Sequence, residues 1–319
     1  QYNYLGQLEL TYSGGNLTDF GGDAFRVVDQ SLPDGVAPDG DIQSNVVGPL
    51  LDDLAALNTV IGQTNVTLDG TRSLVRTQET NYGNLIADSI LDAGQESSVI
   101  VGADSPIIGL TNGGGIRNSV IIPEGGDITQ LAIDRTLPFG NEVVIIEDVS
   151  PEQLKLVLER AVSAVENVSG RFSQVAGLSF TYDPDADAAA FTFDDDGNIV
   201  SVDNAGQRII DVVLDDDIVI IEDGEVVAGL ENLMIDIATV DFLAGGGDGY
   251  PYEFLGLEAV TTGIDYADAL ASFIADDLNG IVEASQYPIS GEGRISVVPE
   301  PTGIALLGLP SVALLRRRR

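Results

Sequence analysis

The sequence predicts an α/β fold, and two observations carry the prediction. Segments that alternate apolar and polar residues, as strands do, interleave with segments whose apolar residues recur at helical spacing. No internal repeat is apparent, and 44% of the 319 residues are apolar, enough to bury a core beneath several such elements.

Residues 4–12 (YLGQLELTY) alternate as a strand and end at the Ser13-Gly14-Gly15 turn. The stretch to Ser44 is rich in Gly, Asp and Pro and reads as strand fragments and loop. Val46, Val47, Leu50, Leu51, Leu54, Leu57, Val60 and Ile61 then fall at helical spacing, with Asp52 and Asp53 on the wet side. An amphipathic helix at this place suits a linker between domains. Beyond it, Asn81–Ala93 reads as helix, and Ser98–Val101 and Ile107–Leu110 as strands. Val143–Asp148 is a strand, followed by Ser150 as N-cap, Glu152 in the first turn and the stripe Leu154, Val157, Leu158 and Val162. Gly177–Asp183, Ile199–Val202, Arg208–Val213 and Ile218–Ile221 read as β, joined by acidic Gly/Asn turns. Leu233–Val240 is apolar and ends in a glycine-rich loop. Tyr266, Leu270, Phe273, Ile274 and Leu278 make a last helix.

Composition excludes several functions. Lys+Arg total 14 against 51 Asp+Glu, a net charge of -37, so no basic surface exists to displace the counterions of a nucleic acid. Such a charge favours solubility or a salt-rich habitat. Without Cys there is no disulfide and no thiol catalysis, and without His there is no Ser-His-Asp triad and no imidazole set for zinc or a two-metal phosphoesterase. An all-carboxylate Ca²⁺ or Mg²⁺ site stays open on composition alone. Asp183, Asp185 and Asp187 begin like a calcium loop but lack the following Gly and closing Glu. Asp194–Asn198 reads as a hairpin turn and Asp215–Asp217 as a solvated loop.

Three glycine-bearing loops each carry a specialised side chain. Asn112-Gly113-Gly114-Gly115-Ile116-Arg117 follows a strand, and reads equally as a tight turn or as backbone that approaches a ligand with an arginine beyond it. Leu137-Pro138-Phe139-Gly140-Asn141 offers an aromatic that, on local evidence, fits the core better than a stacking surface. Asp241-Phe242-Leu243-Ala244-Gly245-Gly246-Gly247-Asp248-Gly249-Tyr250 offers a carboxylate suited to a turn or to paired ribose hydroxyls. Arg76, Arg117 and Arg135 lie beside these loops in a chain poor in cations. A local arginine group in a partly desolvated pocket is the one way such an acidic chain can hold an anion.

Taken in order, these loops resemble the C-terminal domain of the 5′-nucleotidase family. The resemblance runs through Val75-Arg76-Thr77-Gln78-Glu79-Thr80-Asn81-Tyr82-Gly83-Asn84-Leu85-Ile86-Ala87-Asp88, NGGGIR, LPFGN, the strand Gly170–Leu178 (GRFSQVAGL) and DFLAGGGDGY, over about residues 60–260. It departs at Tyr82, where a smaller apolar residue is expected, and at Asn141, which fits some members.

The resemblance implies a layered mixed-sheet α+β domain over 63–290, preceded by the tail of a metallophosphoesterase domain (1–44) and an interdomain helix (45–62). It implies a division of labour: a preceding domain with two divalent metal ions hydrolyses the phosphoester, and this one holds the nucleotide. Phe139 and Phe242 would sandwich a purine, Asp248 would bind ribose hydroxyls, and Arg76 and Arg117 would contact phosphate or ribose. Asn112 would reach the base or sugar edge beside Gly114. No catalytic residue and no metal ligand is expected in the chain itself, which alone would bind nucleoside weakly and hydrolyse nothing.

At the end stand Pro299-Glu300-Pro301, the apolar stretch Thr302 to Leu315 and Arg316 to Arg319. The stretch is shorter than the about 20 residues of a membrane span and Pro310 interrupts it. The order over 298–319 resembles the PEP-CTERM sorting signal of exported bacterial proteins. It implies a transient inner-membrane anchor, a sorting protease, and a destination in the Gram-negative periplasm or on the cell surface. A different expectation, a non-catalytic structural or adhesive surface module that kept the fold, also suits the acidity and this tail.

Overall fold

The computed structural model describes residues 4–26, 37–56, 58–97 and 105–298, and divides between Thr59 and Val60 into two units. The strand expected over Ser98–Val101 and the sorting-signal segment beyond Val298 lie outside the described residues. No helix among the described residues is long and apolar enough to cross a membrane.

In the first unit, β1 (Tyr4–Ser13) pairs antiparallel with β2 (Asn16–Arg26). Gly14 and Gly15 both take positive φ, the geometry of a two-residue hairpin turn. Leu10 faces Phe20 across the ladder, and Leu8, Leu10, Tyr12, Leu17 and Phe20 are exposed. Asp39 then caps α1 (Gly40–Ile42), which runs through a π-helical turn (Gln43–Val47) into α2 (Gly48–Ala56). The helix thus begins before residue 45 and ends short of 62. Val60 and Ile61, expected on its apolar stripe, lie in β3 (Val60–Thr64), paired with Thr129 and its neighbours. Both are β-branched at one end of the run, and ladder pairing outweighs a helical spacing that local propensity supports weakly.

The second unit continues with β4 (Leu68–Asp69), α3 (Asn81–Glu96), β5 (Ile107–Asn112), β6 (Ile121–Ile122), β7 (Asp127–Thr129), α4 (Gln130–Thr136), β8 (Glu142–Val149) and α5 (Pro151–Val162). Then come β9 (Ser173–Ala176), β10 (Leu178–Tyr182), β11 (Ala190–Phe193), β12 (Ile199–Asn204), β13 (Ile209–Leu214), β14 (Val219–Glu222) and β15 (Glu225–Val226). The last are β16 (Ile235–Val240), α6 (Asp241–Ala244), β17 (Ala259–Asp265), α7 (Tyr266–Ser272), β18 (Ile281–Val282) and β19 (Ile295–Val297).

Two five-stranded mixed sheets organise this unit. The first has the order β17-β8-β16-β5-β9, with β16 and β5 parallel and the other neighbours antiparallel. Every residue of β16 is buried, as in a strand covered on both faces, and α3 packs across β5, β9, β16 and β8. The second has the order β15-β14-β13-β10-β19. Gly177, at φ +74°, turns the chain from β9 of one sheet into β10 of the other, and α5 packs on strands of both. Ser150 caps α5 through a full capping box with Gln153, and Pro151 starts the helix. Asp194–Asn198 closes the β11–β12 hairpin, and the acidic run 215–217 is the exposed turn between β13 and β14.

This order decides where the site lies. β8, β16 and β5 lie side by side in the first sheet, with the start of β8 beside the ends of the parallel pair β5 and β16, so the loops at Asn112, Phe139 and Phe242 open at the same end although far apart in the chain.

Candidate functional site

β5 ends at Asn112, and the chain beyond it has backbone close on both sides. Gly113 N donates to the Phe172 carbonyl and Gly114 N to the Gly170 carbonyl, both at 2.7 Å. A Cβ on Gly113 would stand 2.0 Å from the Val75 carbonyl oxygen, and one on Gly114 would stand 2.7 Å from Asn112 Nδ2 and 3.1 Å from Asp248 Oδ2. Glycine is required here by approach. Ile116 is buried and anchors the run, leaving Arg117 half-buried beyond it.

Arg76 stands on the turn that spans residues 71–78. The fully buried Gln174 of β9 clasps that turn: its Nε2 donates to the Val75 and Gln78 carbonyls at 3.1 and 2.8 Å, and its Oε1 accepts from Thr80 N at 3.1 Å. Arg76 is therefore held at 5% exposure with its Nε unpartnered. Burial lowers its guanidinium pKa, Arg72 and Arg117 lower it further, and Asp248 opposes them.

Phe139 follows the end of α4. Arg117 N donates to the Thr136 carbonyl at 2.8 Å, and Phe139 N donates to the Tyr266 hydroxyl at 3.1 Å, so the two loops share one support. Burial pushes the Tyr266 pKa up to about 12, which keeps that hydroxyl protonated. The Tyr82 hydroxyl, reaching up from α3, lies 3.1 Å from Thr136 Oγ1 and serves as a prop beneath the Phe139 loop. The Phe139 ring is 54% exposed and has the Arg117 guanidinium 5.3 Å from its centroid. Phe242, on α6 directly after β16, is 46% exposed while its neighbour Leu243 is buried. Large rings left half in water beside a filled core are surfaces available to a ligand.

Asp248 completes the site. It is a non-glycine residue at φ +53°, and its Oδ2 accepts from Asn112 Nδ2 at 2.6 Å. Arg76, Asn112, Gly114, Arg117, Phe139, Phe242 and Asp248 together line one open cavity of about 430 Å³. Asn112 is 2% exposed, and its Oδ1, like the Nε of Arg76, is buried without a hydrogen-bond partner among the described residues. Arg135 is not part of this set: it is exposed on α4, away from the cavity lining.

Gly115, Asn141 and Gly170 also line the cavity and were not among the residues expected there. Each had a signal in the sequence: Gly115 belongs to the same glycine run, Asn141 stands two residues after Phe139, and Gly170 opens the GRFSQVAGL strand. The two divalent ions implied by the resemblance find no ligand set here. Among the described residues, no three His, Cys, Asp or Glu side chains gather as a metal site would need.

The cavity pairs aromatic faces with two guanidinium groups and a carboxylate, a lining that suits a molecule with a flat ring, a polyol and an anion. A family model described as "5'-nucleotidase, C-terminal domain" matches residues 60–254. The trifunctional nucleotide phosphoesterase protein YfkN of Bacillus subtilis is 37% identical over 193 residues, covering 60% of this chain and 11% of that protein. Protein UshA of Escherichia coli is 30% identical over 238 residues, covering 75% of this chain and 34% of that protein. The crystal structure of a 5'-nucleotidase precursor from Thermus thermophilus is similar with a TM-score of 0.61 and 30% identity, over 94% of this chain and 50% of that one. The chain thus spans half or less of each of these relatives. Family model, relatives and site loops agree over the same stretch, and the chain belongs to the 5′-nucleotidase C-terminal domain family.

Proposed function

We propose that this chain is the nucleotide-recognising part of an exported 5′-nucleotidase-like phosphoester hydrolase. A purine ring stacks between Phe139 and Phe242, and Asp248 accepts hydrogen bonds from the ribose hydroxyls. Arg76 and Arg117 meet phosphate or ribose, and Asn112 reaches the base or sugar edge. Hydrolysis of the phosphoester would be supplied by a two-metal domain outside this sequence, and this chain binds, orients and presents the nucleotide. The division of labour is supported by relatives of which this chain covers about a third or less. Export and transient anchoring rest on the C-terminal order Pro-Glu-Pro, apolar stretch, arginines.

One observation carries the reading. Two half-exposed phenylalanines, two arginines and one carboxylate converge on a single cavity. Calorimetric titration with adenosine and AMP tests it. Both are expected to bind, and Phe242→Ala is expected to cost about 1–3 kcal/mol, the usual worth of a base on an aromatic face. No binding at millimolar nucleoside would overturn the reading and leave a surface module that kept the fold.

A further inference from the structure

Arg160 stands on the last turn of α5 and is 6% exposed. Its guanidinium lies 5.3 Å from the ring centroid of Phe191 and 5.4 Å from that of Phe193, two residues along β11. Its Nε and Nη2 donate to the backbone carbonyl of Asp248 at 3.0 and 2.7 Å. The next residue, Gly249, has no room for a side chain: a Cβ there would stand 2.2 Å from Arg160 Nη2 and 3.0 Å from Phe193 Cζ. Cation and ring therefore close together on bare backbone, at the carbonyl of a residue in the left-handed region.

The hairpin that carries the two rings is fastened to the same helix. Glu159, fully buried beside Arg160, accepts from Arg208 N at 3.1 Å and Ile209 N at 3.0 Å. Arg208 returns two bonds, to the Val162 carbonyl at 2.7 Å and the Ala186 carbonyl at 3.1 Å, so both bases of the β11–β12 segment are pinned. Burial lowers the Arg160 pKa to about 10 and Arg171 adds to this, which leaves it a cation at neutral pH.

We propose that Arg160, gripped by Phe191 and Phe193, is a positioning residue that holds Asp248 in the conformation presenting its carboxylate to a cis-diol, so that the β11–β12 hairpin sets selectivity for an intact ribose. This rests on the assignment of Asp248 to the ribose hydroxyls. Arg160 spends its fork on the backbone and leaves the carboxylate to Asn112 and the cavity.

The test is calorimetry on the whole chain with adenosine and 2′,3′-dideoxyadenosine. The wild type is expected to prefer the intact diol about tenfold, the worth of hydrogen bonds to a charged acceptor. In Arg160→Met, and in the pair Phe191→Leu with Phe193→Leu, adenosine binding is expected to fall about tenfold toward the dideoxy value, which itself moves by less than about twofold. Should Arg160→Met not fold, the Leu pair decides, because Phe193 lies on a partly exposed hairpin. A preference retained in the variants overturns the clamp, and so does an equal loss of both ligands, the mark of general structural damage. A wild type without preference removes the diol from Asp248, and the clamp's role with it, before any variant is made.

Discussion

Asn112 Nδ2 donates to Asp248 Oδ2 at 2.6 Å across a sequence separation of 136 residues, tying the end of β5 to the loop after β16. Each partner restricts the other, since Asn112 is almost fully buried and Asp248 sits at an unfavourable backbone angle. A double-mutant cycle of Asn112→Ala and Asp248→Ala should therefore show a coupling of about 1–3 kcal/mol in stability, as for neighbours joined by a charge-assisted bond. Additive effects in urea unfolding would deny the tie.

Phe139 and Phe242 should contribute unequally if Arg117 already covers one face of Phe139. The guanidinium stands 5.3 Å from that ring, and none stands over Phe242 among the described residues. Phe139→Ala frees Arg117 as well as removing a ring, so it should weaken AMP more than adenosine, by about tenfold beyond the common stacking loss. Equal losses for the two ligands in a binding titration would show that Arg117 does not depend on Phe139.

Gln174 should be costly to replace although it does not line the cavity. It is fully buried and its three hydrogen bonds hold the turn carrying Arg76. Gln174→Leu keeps the bulk and leaves those backbone groups without that partner, at about 3 kcal/mol in total. Denaturant melts should show the loss, and AMP should weaken more than adenosine through Arg76. Unchanged stability would mean that water replaces the amide.

Asp92 gives a pH signature. Burial, then Asp277 and Glu96, push its carboxyl pKa up to about 6 in the folded chain. Between the ordinary carboxylate range and that value the folded state keeps the proton and the unfolded state does not, so stability falls as pH rises through the window. Above it the penalty is complete. Asp92→Asn should therefore raise the melting temperature at pH 7 and above, with the gain fading below about pH 4. A gain that is constant with pH would point to a cause other than charge.

The chain's own residues determined much of this protein without reference to its fold. Local chemistry is written locally: Ser150 and Pro151 start a helix because cap and fixed φ act within one turn, and Gly14-Gly15 close a hairpin because their dihedrals permit it. The scarcity of arginine in an acidic chain singled out Arg76 and Arg117, and with them Arg135, which lies outside the cavity lining, whereas the roles of Asn112, Phe139, Phe242 and Asp248 followed from the resemblance to 5′-nucleotidase C-terminal domains. What no local pattern contains is which distant groups meet. Val60 and Ile61 keep a helical spacing but enter a strand because Thr129 and its neighbours offer a ladder. Arg160 reads as an ordinary residue at a helix end, yet sheet order carries it across 88 positions to the carbonyl of Asp248. Tyr82 and Gln174 become props of the cavity only when α3 and β9 pack beneath it. Hydrogen bonds and ring contacts act over a few ångströms, so their partners are chosen by the order of strands in the sheet, and only the tertiary structure decided that order.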